Sequence, residues 1–257
     1  GNQGNQGNQG NQGNQGNQGN AGNSGSAWTF SDRVDFPFIT EEDVAKQRTG
    51  RASFGERNWA AGWAAWRAVA DFGRIDWPTA IPLGPPADFT EKTLDQEIDD
   101  LRTKVLDERP DALGEIFAQN DEFISYFMTV LGGKPSTHPK SFLVLNIANL
   151  VATLVAMHLK GIRDRPRPSQ ICPALLPPLE VPGHASYPSG HATQAHLFAL
   201  CSKEMLPAGQ QVSLGVVLDA LAARIARNRE IAGLHYESDS KAGHYLAGKI
   251  FGILNNA

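Results

Sequence analysis

From residue 57 onward apolar positions recur at helical spacing, and no stretch alternates apolar and polar as a half-buried strand does. Trp59, Trp63 and Trp66 repeat between Arg57 and Phe72, an aromatic stripe read as core packing. Residues 90–108 set Leu94, Ile98, Leu101 and Val105 on one face among charges, with Pro110 as the stop. One further helix is expected from about Asp111 to Leu131, closed by Gly132-Gly133. Helices are also expected over 189–203, 212–230 and 238–254, with Pro-rich chain from Pro166 to Pro188. The pattern predicts an all-α helical bundle around a central apolar helix at about 142–160.

That central stretch has 18 residues without a formal charge from Phe142 to Leu159, long enough to cross a bilayer. Asn146, Asn149 and Thr153 fall on one face of it, and Lys160 continues that face. The polar stripe favours the core helix of a soluble bundle, so no integral membrane span is expected.

The N-terminal stretch breaks the pattern. Residues 1–27 are nine Gly-X-Y triplets, six of them Gly-Asn-Gln, with no charge and no apolar side chain larger than Ala. Such a segment buries too little to offset ordering its backbone and reads as a flexible tether. Glycine at every third position also makes it a candidate for self-assembly, although the lack of proline works against a triple helix. Residues 28–56 read as an irregular arm, and 57–257 as one all-α domain, large enough for a real core.

Net charge of −4 and a pI near 6.0 argue against a nucleic-acid binder. The basic residues cluster instead: Lys160, Arg163, Arg165 and Arg167 lie within eight positions, which suggests a site for a small anion. Arg163 and Arg165 are expected to be solvated or paired with Asp164. Cys172 and Cys201 have no zinc-like spacing, and they read either as unpaired thiols or as one disulfide in an exported protein. The chain starts at Gly1 without Met or a signal peptide, and a periplasmic or secreted placement is expected.

Three blocks carry the chemistry. Lys160 ends the central helix, and Arg167 follows on a stiff Arg-Pro-Arg-Pro run whose guanidinium suits an oxyanion. Ser189 is a plausible N-cap before Gly190 and His191, and backbone N–H groups at such a helix start hold anions. His191 beside that pocket is a candidate acid. Arg229 and His235 would point about 120° apart on one helix, so Gly233 should break it and let both turn inward. His235 and Asp239 are four apart; a carboxylate on one ring nitrogen fixes the tautomer and frees the other to attack. The same pair also reads as a surface helical pair or half a metal site, but no further ligands at fitting spacing are evident.

These blocks resemble the signature of the superfamily of type 2 phosphatidic acid phosphatases, bacterial non-specific acid phosphatases and vanadium-dependent haloperoxidases. Its pattern is K-x6-R-P, P-S-G-H and S-R-x5-H-x3-D. Lys160 to Arg167-Pro168, Pro188 to His191, and Arg229, His235 and Asp239 fit it, with Asn228 in place of a peripheral Ser. The resemblance implies an all-α fold and a site needing neither metal nor cofactor. Lys160, Arg167, Ser189, Gly190 and Arg229 would bind phosphate. His235 would form a phosphohistidine, Asp239 would orient it, and His191 would act as general acid and base. The expected activity is a soluble acid phosphatase on small phosphate monoesters. Vanadate would be an inhibitor or, in a haloperoxidase, a prosthetic group at His235. His184, seven before His191, resembles a bromoperoxidase position at the pocket rim, whereas haloperoxidase chains are usually far longer. A third reading is a non-catalytic anion-binding domain displayed on the Gly-X-Y arm.

Overall fold

The computed structural model describes residues 54–55 and 58–256, so the arms at 1–27 and 28–56 lie almost wholly outside the described residues. Ten α-helices follow in order: α1 (Ala61–Phe72), α2 (Trp77–Ala80), α3 (Leu94–Asp107), α4 (Arg109–Asp121), α5 (Ile124–Val130), α6 (Pro139–Arg163), α7 (Pro168–Ile171), α8 (Gly190–Met205), α9 (Gln211–Ile231) and α10 (Glu237–Leu254). Among the described residues there is no strand. The all-α expectation is met, with α6 three residues longer at each end than the predicted central helix.

The core forms where α8 packs on α6, α9 and α10. Val151, Val155, Leu197, Leu218, Ala222 and Leu246 are fully buried there. The polar stripe of α6 faces inward. Asn149 Oδ1 and Thr153 Oγ1 both accept from Gln194 Nε2 of α8, at 2.8 and 2.9 Å. The stripe therefore sets the register of two core helices and says nothing about the opposite face. That face exposes Val144 and Ile162.

The tryptophan expectation is overturned. Trp59, Trp63 and Trp66 are 39%, 61% and 48% exposed. Helix α1 packs on α6 through Gly62, Ala65, Val69 and Phe72 instead. Both faces of α1 are apolar, and the one with small residues allows the closer approach.

The helix predicted over 111–131 is two helices. Glu122 is extended between α4 and α5, at φ −152° and ψ 126°. Pro110 stands in the first turn of α4, where its missing N–H costs nothing. The helix ahead of it is closed at its start by a capping box: Thr93 N–H donates to Gln96 Oε1 at 2.8 Å, and Gln96 N–H to Thr93 Oγ1 at 3.3 Å. Cys172 and Cys201 are both free, so no disulfide joins them.

One glycine controls a helix crossing that matters for the site. A Cβ on Gly243 of α10 would lie 2.8 Å from Ser189 O and 2.9 Å from Thr193 N. Those are backbone atoms and cannot step aside. Gly243→Ala is expected to push α8 from α10 and to destabilise the fold by about 1–3 kcal/mol. Urea unfolding midpoints of the two proteins check this.

Candidate active site

The site lies where four chain segments meet. The C-terminal turn of α6 supplies Lys160, and the loop into α7 supplies Arg167. The start of α8 supplies Ser189, Gly190 and His191. The break between α9 and α10 supplies Arg229, His235 and Asp239. That break is made as the sequence predicted. Helix α9 ends at Ile231, and Gly233 takes φ +74°, a conformation glycine adopts at little cost. Arg229 and His235 both turn inward and are 2% and 4% exposed.

His235 precedes α10 by two residues rather than riding on it. Its Nδ1 lies 3.1 Å from Asp239 Oδ2. The same carboxylate oxygen accepts the Tyr236 N–H at 3.1 Å and the Ser186 hydroxyl. Asp239 thus caps the first turn of its helix and holds the imidazole in one orientation. With Nδ1 committed to the carboxylate, Nε2 faces the cations, and Arg167 Nη1 lies 3.2 Å from it.

Arg167 is 2% exposed and is fixed on every side. Nε donates to His184 O at 3.0 Å, Nη1 to Leu234 O at 2.9 Å, and Nη2 lies 3.0 Å from His184 Nδ1. His184, expected at the rim, is therefore an anchor for Arg167. Burial lowers its pKa to about 4, with the Lys160 charge adding to the effect. Lys160 Nζ donates to Ala185 O at 2.8 Å and Ser186 O at 2.7 Å, which leaves one of its three protons for a ligand.

Arg229 is held by one contact, from Nη2 to Asn120 Oδ1 at 3.1 Å. Its Nε and Nη1 are buried with no partner among the described residues. Burial first, and then the nearby Arg167, bring its pKa down to about 10, so it stays charged. His191 Nε2 is likewise buried and unpartnered. Native proteins rarely leave buried donors unmatched, and three such nitrogens in one place mark a site shaped for an acceptor-rich group. Ser189 Oγ caps α8 by accepting the Ala192 N–H at 3.3 Å. A Cβ built on Gly190 meets nothing within 4 Å, so packing does not demand the glycine.

Both imidazoles are held well below the usual histidine range. For His191 the causes are burial and then Arg229; for His235 they are burial and then Arg167, Lys160, Arg229 and His191. Three cations and the second imidazole thus bear on His235.

Sequence reasoning missed one side of the site. Arg165 is neither solvated nor paired with Asp164. It donates to Asp239 Oδ1 at 2.7 Å and to Glu97 Oε2 at 2.6 Å, and stacks 3.8 Å over the Tyr236 ring. Glu97 in turn accepts from Ser238 N and Oγ, at 3.1 and 2.6 Å. Burial pushes the Asp239 carboxyl up, and the Arg165 contact pulls it back. Arg163 meanwhile reaches Leu83 O. Asn228, in the place of the usual Ser, turns away and donates to Gln119 Oε1 at 2.8 Å. Among the described residues no cluster of three or more His, Cys, Asp or Glu could hold a metal ion.

No family profile matches the sequence, and no curated protein does. The structure does have a counterpart. A transmembrane PAP2-type phosphatidylglycerolphosphate phosphatase from Bacillus subtilis superposes with a TM-score of 0.52 at 18% identity, over 66% of this chain and 88% of that one. The fold is that of the PAP2 phosphatases.

The PAP2 likeness corrects two expectations. The stretch Pro139–Ile171, which contains α6, is long and apolar enough to cross a membrane, with a mean hydropathy of 2.0 over an 18-residue window. Half of that window is buried. Together with a transmembrane neighbour of the same fold, this overturns the expectation of no integral span. The periplasmic or secreted placement falls with it. The polar stripe that motivated the first of these is absorbed by α8 and carries no information about the outer face of α6.

Proposed function

We propose that this chain hydrolyses phosphate monoesters through a covalent phosphohistidine on His235. One observation carries the reading. His235, with Nδ1 committed to Asp239, presents Nε2 to a cradle whose Arg229 Nε and Nη1 and His191 Nε2 lack partners among the described residues.

In this reading Lys160, Arg167, Arg229, the Ser189 hydroxyl and the Gly190 N–H neutralise the phosphoryl oxygens. A phosphoryl oxygen takes over the Arg167 proton now directed at Nε2. The Nε2 lone pair attacks phosphorus, the P–O bond to the alcohol breaks, and His191 delivers a proton to the departing oxygen. A water then attacks phosphorus while His191 takes its proton. The P–N bond breaks, inorganic phosphate leaves, and His235 is restored. Asp239 stabilises the positive charge His235 carries while phosphorylated. The cradle fits vanadate, a tetrahedral oxyanion like phosphate, through the same residues. Its expected role here is inhibition.

The lowered histidine pKa values set the pH profile. Neutral His235 is the attacking form, and it persists to pH values below 6.5, the ordinary midpoint of a histidine. The proton that His191 passes to the leaving group enters with the ester monoanion, whose second pKa is about 6. Activity should therefore be higher at about pH 5 than at about pH 8. Turnover of p-nitrophenyl phosphate from about pH 4 to about pH 8, with and without vanadate, tests the proposal. An acid-side optimum that vanadate suppresses supports it, and no turnover anywhere in that range ends it. His191→Ala should cost far more with alkyl phosphates than with p-nitrophenyl phosphate, because only the alkoxide needs the proton. Equal losses in kcat for both would remove His191 from the acid role.

A further inference from the structure

A cavity of about 400 Å3 lies beside the site, between α5, α6 and α8. Phe123, Met128 and Phe198, all buried, form its floor. Ser125, Thr129 and Lys134 stand exposed at its mouth. Phe123 joins the cavity to the chemistry. Its ring centroid is 5.3 Å from that of His191 and 5.4 Å from that of Phe198. The break between α4 and α5 is what puts Phe123 there.

In-line displacement fixes where the alcohol must go. The nucleophile and the departing oxygen lie on opposite sides of phosphorus. With His235 attacking, the departing oxygen faces His191, and its carbon skeleton extends past that ring. Phe123 packs against that ring and also lines the cavity. We propose that this cavity is the leaving-group subsite, and that the chain selects phosphate monoesters of one compact apolar alcohol, aryl or branched alkyl. The inference rests on the phosphatase reading and adds the substrate class. A volume of about 400 Å3 is at the small end of pockets that enclose a whole organic ligand. Aromatic walls favour a ring packed offset or edge-on. The polar residues of its lining, among them Asp121, Glu122, Ser125 and Thr129, leave the buried part to Phe123, Ile124, Met128 and Phe198.

The test compares 2-(1-naphthyl)ethyl phosphate with ethyl phosphate, whose alkoxides leave with similar ease. Calorimetric binding of the two corresponding phosphonates is measured alongside. The naphthyl compounds should show kcat/KM and affinity about tenfold to a hundredfold higher, from apolar area removed from water. Thr129→Trp and Ser125→Trp change exposed positions, so the fold should tolerate them, and each ring fills the mouth. Both variants should reduce the preference to about twofold or less. Equal affinity of the two phosphonates for the parent protein overturns the subsite, as does a preference that both tryptophans leave intact. Preferential phosphonate binding without turnover of either ester overturns the phosphatase reading and upholds the cavity as the site for that alcohol.

Discussion

Replacing His235 with alanine is expected to reduce kcat by about a thousandfold or more, because no second nucleophile faces the cradle. The loss should not be one of folding. The side chain makes one strong contact, with Asp239, and that carboxylate keeps Tyr236 N–H, Ser186 and Arg165 without it. Phosphate should still bind, since Lys160, Arg167 and Arg229 remain. Two measurements decide the matter together. Rapid quench of the parent protein with labelled substrate in alkaline denaturant should trap a phosphoenzyme that is stable to base and labile to acid, as a P–N bond is. The variant should trap none while still binding phosphate by calorimetry. A variant that keeps even a tenth of the parent kcat would remove His235 from the nucleophile role.

Arg165→Met should have the largest effect on stability. Arg165 is 12% exposed in its side chain and neutralises Glu97 and Asp239, which are 2% and 0% exposed. Burial opposes the guanidinium charge, and the two carboxylates more than restore it. Methionine fills the stem volume but leaves two buried carboxylates without a counter-charge. Removing one partner of such a group typically costs about 3–5 kcal/mol. For a domain of this size that corresponds to a fall in Tm of about 10 °C. Calorimetric unfolding of the two proteins checks it. The sign with pH follows from the carboxylates. In Arg165→Met they should take up protons on folding, so the deficit should shrink as pH falls. A deficit that grows on acidification would show that the triad does not carry the stability.

Most of the site was legible from spacing, because its residues sit at helix ends. Lys160 closes α6, Ser189 caps α8, and Gly233 separates α9 from α10. Ends are marked by Pro, Gly and Ser, and those signals are local. What escaped was long-range. Glu97 lies three residues after Leu94 and four before Leu101, a carboxylate on the inward face of an otherwise ordinary amphipathic helix. That misplaced charge was the available sign of a buried partner, but nothing local names Arg165 as that partner. The α4–α5 break also had a weak signal in Asn120-Asp121, residues that form helix poorly. Its consequence, Phe123 against His191, depends on packing between segments far apart in sequence. The exposed tryptophans show a different limit. Periodicity finds an apolar face but cannot choose between two on the same helix, and α6 selected the one with the smaller side chains.

Arg229 carries two buried nitrogens that no acceptor among the described residues meets. A charge kept in that condition is a built-in weakness, and a tetrahedral anion removes it. Linkage gives the size: an anion at a hundred times its Kd adds about 2.7 kcal/mol to the folded state. The lifetime of the chain is thereby coupled to its surroundings. In a phosphate-poor medium it should open more often and be reached sooner by proteases, while plentiful phosphate should preserve it.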